Sequence, residues 1–401
     1  MKIIPFSPPD IGEEEINAVC ETLRSSWITT GPRTKQFEAE LAKYCHTDKV
    51  VCLSSATAAL ELNLRMLGIG PGDEVIVPAY TYTSTASAVV HTGATLVFVD
   101  SQPDSFEMDY QKVEEAITEK TKAIIPVDIG GVICHYEDAF KACENKKHLF
   151  KPSNKIQEAI GRVAVVADGA HSLGGVRHCQ KSGAIADFTA FSFHAVKNLT
   201  TAEGGAATWR NIEGISNEDL YKQYQLFSLH GQSKDAFEKN QGASWEYDII
   251  GPWYKCNMTD ITASIGLKQL ERYPELREKR LKYIERYNKT CDSLGVQYLR
   301  HITKNSIGSG HLYITRIPGI TCEQRNEIID AMAKKGVACN VHYKPLPMMT
   351  AYKNLGFDIK DFPNAYNFFV NEVTLPLYTR LTDEDIEYIC ECFEDVVKKY
   401  I

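Results

Sequence analysis

Three segments of the chain carry side chains whose types and spacing could do chemistry. Lys197 follows the run 188–192, in Ser192-Phe193-His194-Ala195-Val196-Lys197-Asn198. Asp168 follows the apolar run 163–167 and opens Asp168-Gly169-Ala170-His171. The third, Ser54-Ser55-Ala56-Thr57-Ala58-Ala59, follows the run 49–53 and has the small residues of a helix start. Each run reads as a buried strand, and ligands of open parallel sheets bind beyond the carboxyl ends of strands. A lysine there is partly desolvated, which lowers its pKa and frees a nucleophilic amine near neutral pH. A carboxylate at the end of a buried strand costs free energy unless it is paired or hydrogen-bonded. A helix start offers free amides to a phosphate group.

Taken separately, each feature has an ordinary structural explanation: a salt bridge between Asp168 and Lys197, and an N-cap in the serine-rich run. Together they match the needs of pyridoxal 5′-phosphate, which requires a Schiff-base lysine, an acid at its pyridine nitrogen and an anchor for its phosphate. The chain has no GxGxxG after a strand, no GxxxxGK[ST] and no GxSxG, so nicotinamide, nucleoside triphosphate and serine-hydrolase readings lack their key elements.

The elements that must position these residues follow from hydrophobic periodicity. Strands are expected at 49–53, 74–78, 95–99, 122–127, 163–167, 188–192 and 205–209, most of them separated by helical segments, which predicts an α/β fold with a large, mostly parallel seven-stranded sheet. Beyond 210 the pattern turns to long helices, 260–272 and 274–294, the second starting at Pro274 and ending at Gly295. A small C-terminal α+β domain is expected to follow, with strands at 311–317 and 338–342 and helices at 322–335 and 382–399. The expected division is 1–265 for the large domain, including an N-terminal segment at the substrate mouth, and 266–401 for the small one. The polar stretch 148–161 reads as an insertion loop.

Composition narrows the function classes. With 44% apolar and 24% charged residues the chain is an ordinary globular protein. Its net charge of -8 disfavours nucleic acid and anionic membrane surfaces, and the basic stretch 277–286 alternates with Glu278 and Glu285 as a solvated helix face does. No apolar run reaches membrane-spanning length, and Pro5 interrupts the start before a signal-peptide core could form. The 12 cysteines include no CxxC pair, so a reducing cytoplasm is the expected compartment. Cys134, His135, Cys143 and His148 match no common zinc spacing, and no metal site is expected.

Ordered blocks along nearly the whole chain resemble the DegT/DnrJ/EryC1/StrS sugar aminotransferases of aspartate-aminotransferase fold type I, nearest to the branch that forms UDP-4-amino-4-deoxy-L-arabinose. The blocks include Trp27-Ile28-Thr29-Thr30-Gly31-Pro32, Ser54-Ser55-Ala56-Thr57-Ala58, Ser192-Phe193-His194-Ala195-Val196-Lys197-Asn198, Tyr254-Lys255-Cys256-Asn257-Met258-Thr259-Asp260, Val341-His342-Tyr343 and Leu375-Pro376-Leu377. The resemblance implies Lys197 as the Schiff-base lysine and Asp168 as the partner of the ring nitrogen. It implies Thr57, the Ala58 amide and Ser192 as phosphate ligands, Tyr82 as the stacking ring and His171 near the phenolic oxygen. Lys255 and Asn257 would complete the phosphate site of a neighbouring subunit in a homodimer, while Thr29, Thr30, Gly31 and His342 would meet the sugar. Ala167 and Asp128 depart from the family's usual Glu and His. The implied activity moves an amino group from an amino acid, glutamate, to a nucleotide-linked keto-sugar through a pyridoxamine phosphate intermediate. A 3-keto-sugar aminotransferase and a non-catalytic cofactor-binding regulator are the alternatives. Lys197 argues against the related dehydratases, which carry histidine there.

Overall fold

A computed structural model describes residues 2–233 and 246–401. Its centre is a seven-stranded sheet in the order β1-β9-β8-β5-β4-β2-β3, from β1 (Val50–Leu53), β2 (Glu74–Pro78), β3 (Thr95–Val99), β4 (Thr121–Ile124), β5 (Ala164–Asp168), β8 (Phe188–Ser192) and β9 (Gly205–Trp209). Only β9 runs antiparallel to its neighbours. Short strands β6 (Val176–Arg177), β7 (Gln180–Lys181) and β11 (Ser306–Ile307) form one small sheet, and β10 (Gln297–Tyr298), β12 (Tyr313–Arg316) and β13 (Glu372–Leu375) another. The α/β fold with a mostly parallel seven-stranded sheet is therefore as the hydrophobic runs predict.

The central strands are buried on both faces along nearly their whole length, as continuous apolar runs such as Val-Ile-Val in β2 require. Helices α1 (Glu13–Arg24), α2 (Pro32–Cys45), α3 (Ala56–Met66) and α4 (Thr83–Thr92) precede or alternate with the first strands. Strand β5 pairs with β8 in a register that sets Asp168 opposite Ala190. This brings the acid at the end of β5 and the loop leaving β8 to the same edge. At the opposite end of the pair Asp187 is fully buried and accepts from Arg162 through Nη1 at 2.8 Å and Nη2 at 3.0 Å, and from the Val165 amide at 2.8 Å. Arg210 adds a third cationic contact at 2.6 Å.

Some expectations need correction. Residues 260–294 form one helix, Asp260–Leu294, with Pro274 inside it instead of at a new start. Pro274 removes one backbone donor, but Tyr273 and Leu276 on either side are buried, and Tyr273 Oη donates to the Leu173 carbonyl at 2.8 Å. Packing on both sides holds the helix through the missing bond. The segment 148–161 contains the helix Lys155–Ile160, capped by Asn154, and the side chains of Asn154 and Gln157 both donate to the Leu67 carbonyl, at 2.8 and 2.7 Å. It is thus tied to the end of α3. Residues 338–342 form no strand; isolated bridges join Val337 to Ile4 and Asn340 to Thr374.

Replacing Asp187 by Ala is expected to destabilise the protein by about 3–5 kcal/mol, because it strands the Arg162 guanidinium in the interior. Urea unfolding followed by circular dichroism checks this; a loss below about 1 kcal/mol would mean that the pair does not hold β5 and β8 together.

Candidate active site

A cavity of about 380 Å³ opens at the carboxyl ends of β1, β5 and β8. Its walls include Ser55, Ala56, Thr57, Tyr82, Asp168, His171, Ser192, Lys197, His311, His342 and Tyr343. Chain segments far apart in sequence meet here, and the register of the central sheet brings the first of them together.

Asp168 is 3% exposed. One of its oxygens accepts from Thr85 Oγ1 at 2.7 Å, the other from the Ala170 amide at 3.1 Å. Burial raises its pKa, opposed by those two donors and by the charge of Lys197. Lys197 is not a hydrogen-bonding partner of Asp168 and acts on it through charge alone. The direct salt bridge that sequence could also suggest is therefore not made. Lys197 has its pKa brought down to about 8, chiefly by burial, with Asp168 pulling the other way. The loop that carries it is closed by its amide bonding to the His194 carbonyl at 2.9 Å. Asn198 ties the same loop down: its amide donates to the Ser309 carbonyl and its oxygen meets His311 Nδ1, both at 3.0 Å.

His171 Nδ1 accepts from the Gly130 amide at 3.1 Å. A backbone N–H can only donate, so the ring proton sits on Nε2, which lies 3.1 Å from the Tyr343 hydroxyl. Burial, and then the charges of Lys197 and His342, hold His171 well below its ordinary pKa and so neutral. His311 packs against it with the rings tilted at 45° and their centroids 4.4 Å apart, and is held neutral for the same first reason.

At the start of α3 the Ser55 hydroxyl caps the helix by accepting from the Ala58 amide at 3.1 Å. Ala56 and Thr57 line the cavity and Ala58 does not, so the helix start presents Ser55 to Thr57 to a ligand, with the Ala58 amide already engaged. Gly205 of β9 runs directly beneath: a Cβ there would come within 2.3 Å of the Ser55 carbonyl carbon and 2.4 Å of the Ala56 nitrogen. The glycine lets the sheet carry the helix start this close.

Tyr82 is 58% exposed at the cavity, so it is no core residue, and its ring lies 5.9 Å from that of Tyr343. His342 also lines the cavity. Thr29, Thr30, Gly31, Lys255 and Asn257 do not line it within the one chain; they gather beside its edge, where Asn257 bridges Leu53 at the end of β1 and the Ser54 amide donates to the Cys256 carbonyl at 2.7 Å. Asn257 Nδ2 donates to Thr30 Oγ1 at 2.5 Å, Lys255 Nζ bonds to Asn257 Oδ1, and Gly31 N donates to Asp260 Oδ1 at 2.8 Å. Asn257 does not cap the long helix, a task that falls to Thr259. Residues missed from sequence are Thr85, Asn198, Ser55, His311 and Tyr343. Ser55, Asn198 and Tyr343 lie inside the sequence motifs of the site; nothing in sequence links Thr85 or His311 to it.

Residues 9–394 match the model of the DegT/DnrJ/EryC1/StrS aminotransferase family. The chain belongs to that family. The spore coat polysaccharide biosynthesis protein SpsC of Bacillus subtilis is 37% identical to this aminotransferase-family chain over 98% of it and 97% of SpsC. Among solved structures, Spr1654 of Streptococcus pneumoniae, described as a sugar aminotransferase and determined in its PLP-form, is 56% identical, with a TM-score of 0.96 and full coverage of both chains. Helicobacter pylori PseC, an aminotransferase of pseudoaminic acid biosynthesis, is 26% identical at a TM-score of 0.87, again over all of both chains.

The residues of this aminotransferase site fit pyridoxal phosphate: a small-residue helix start above Gly205, a buried carboxyl and a desolvated amine open into one cavity. Because the amine reacts only when neutral, the rate at which apoprotein captures pyridoxal phosphate is expected to rise with pH and level off above about 8. Stopped-flow absorbance measures this; a rate flat from pH 6 to 9 in that assay would show that Lys197 does not limit capture.

Proposed function

We propose that this protein is a pyridoxal-phosphate-dependent aminotransferase that moves an amino group from L-glutamate to the C4 keto carbon of a nucleotide-linked sugar. The observation that carries this reading is the single cavity in which Lys197, Asp168 and the start of α3 face polar walls from the C-terminal part of the chain, His342 and Tyr343 among them. The cofactor, when bound, supplies the electron sink on which amino transfer depends. Family membership, the PLP-form of Spr1654 and the polysaccharide role named for SpsC support it.

In this reading Lys197 would hold the cofactor covalently, and its free amine would move the proton at the reacting carbon. An amine with a pKa of about 8 can both take up and release a proton near neutral pH. Asp168, kept in place by Thr85 and the Ala170 amide, carries the negative charge that holds the ring nitrogen protonated. Ser55, Thr57 and Ser192 would hold the phosphate, Tyr82 would cover the ring, and His171 would donate its Nε2–H toward the phenolic oxygen. His342 lines the part of the cavity that takes the sugar.

Lys197→Ala is expected to retain the cofactor without a borohydride-reducible link and to lose transamination by at least a thousandfold, roughly the scale of a lost acid–base and covalent group. Glutamate should convert the wild-type absorbance to that of the aminated cofactor, and a panel of UDP-, GDP- and dTDP-linked 3-keto and 4-keto sugars should reverse it with one 4-keto member. Reversal by 3-keto sugars alone would replace the carbon assigned here.

Lys255, Asn257 and Thr29 to Gly31 form a patch outside the cavity of their own chain, which supports a symmetric homodimer in which that patch reaches the partner's phosphate site. Mixing a Lys197→Ala chain with a chain bearing Lys255→Ala and Asn257→Ala should then restore activity to roughly a quarter of wild type, since roughly half the dimers are hybrids with one intact site each. No recovery despite hybrids seen by native mass spectrometry would place the patch's action within its own chain.

A further inference from the structure

Glu372 and Thr374 stand two residues apart on β13, so their side chains leave the same face of the strand. Both have no exposed surface. The Thr374 hydroxyl sits between two groups: it bonds to Glu372 Oε1 on one side and lies 3.0 Å from His342 Nδ1 on the other. The His342 amide donates to Glu372 Oε2 at 2.9 Å, and the Tyr80 hydroxyl donates to the His342 carbonyl at 2.8 Å. Phe6 stacks on the imidazole at 5.5 Å and 20°. The ring is thus fixed in position and plane. Its Nδ1 edge is engaged, and Nε2 has no hydrogen-bonding partner among the described residues while the ring lines the cavity.

A fully buried carboxyl is costly to keep, and Glu372 has no ion-pair partner among the described residues; Arg325 donates to its backbone carbonyl at 3.3 Å. We propose that Glu372 and Thr374 are positioning residues that set the tautomer of His342, and through it the kind of hydrogen bond that Nε2 offers an oxygen of the substrate. The inference rests on the sugar-binding reading of this cavity for its purpose, not for its geometry.

The proton count is simple because a threonine hydroxyl carries one hydrogen. With Glu372 ionised, Thr374 donates to the carboxylate and accepts from Nδ1–H, leaving a lone pair at Nε2. When Glu372 holds a proton it donates to Thr374 Oγ1, Thr374 donates to Nδ1, and Nε2 carries the N–H. The two states differ by one proton on Glu372, and the imidazole is neutral in both. Burial, with Lys197 adding to it, brings His342 down to about 3, so it does not charge near neutral pH. Burial lifts Glu372 to about 8, against Thr374, the His342 amide and Arg325. In this relay Nε2 is expected to be a donor below the Glu372 transition and an acceptor above it. The ionisable groups facing this line are Arg325, Tyr80, Cys339 and Tyr343 around the carboxyl, and Lys197, His171, His311 and Tyr343 around the imidazole.

The test uses holoenzyme labelled with ¹⁵N-histidine, the His342 signals being assigned by their loss in His342→Gln. Wild type should show the Nε2–H tautomer at pH 7 and move to Nδ1–H as pH rises through about 8. Thr374→Val and Glu372→Gln should each abolish that transition, and Thr374→Ser should restore it. The same tautomer behaviour in wild type and in both disabled variants overturns the relay whatever the substrate is. In single-turnover assays Thr374→Val should slow the half-reaction with the keto-sugar roughly tenfold, the scale of one lost hydrogen bond, and leave the glutamate half-reaction within about twofold. Equal loss in both half-reactions overturns the positioning role. A relay intact by NMR in an enzyme that converts no keto-sugar would instead sink the proposed substrate.

Discussion

Asp168 ends β5 with almost none of its surface in water, and much of the site is arranged around making that position tenable. The carboxyl needs donors, and it has Thr85 from α4 and the Ala170 amide from its own turn. Satisfying it therefore fixes where α4 stands relative to the sheet, and α4 begins immediately after Tyr82. The β5–β8 register, held at its far end by the buried Asp187 cluster, then determines how far Lys197 lies from that charge. The result is a lysine and a carboxylate that feel one another's charge without touching. Contact would neutralise both in a tight pair and leave neither available to a ligand.

Much of this was legible in the sequence for a specific reason. Fully buried parallel strands read as unbroken apolar runs, and the runs ending at 53, 167 and 192 end where polar residues begin. Strands of the central sheet match their expected spans to within a few residues. Periodicity failed where tertiary packing overrode a local signal. Pro274 looks like a helix start, yet Tyr273 and Leu276 are anchored on either side of it. Residues 338–342 look like a strand, yet their backbone meets β13 through the single bridge at Asn340. The helix Lys155–Ile160 was hidden in a polar stretch because it is only partly covered, held by two side-chain bonds to one carbonyl.

The site divides in the same way. Lys197 and Asp168 announce themselves because charge at a strand end is physically expensive. His311, Asn198 and Thr85 do not, since each acts on another side chain distant in sequence, and no local pattern encodes that distance. Thr29 to Gly31 and the Lys255–Asn257 segment illustrate a further limit: their mutual contact is visible only in three dimensions, and it leaves both outside the cavity of their own chain.

The helix Asp260–Leu294 is about 50 Å long at the usual rise per residue. Its first half contributes Ala263, Leu267, Leu270 and Tyr273 to the apolar cluster beneath α2 and β1, and its second half contributes Tyr283, Ile284, Tyr287 and Cys291 to the cluster around β12 and β13. One hydrogen-bonded rod is thus shared by two cores. Loosening either core frays a helix on which the other depends, so the free energies of the two are not separable. A rod shared in this way couples the two cores, so they are expected to unfold together, with slow-exchanging amides running along the rod from end to end.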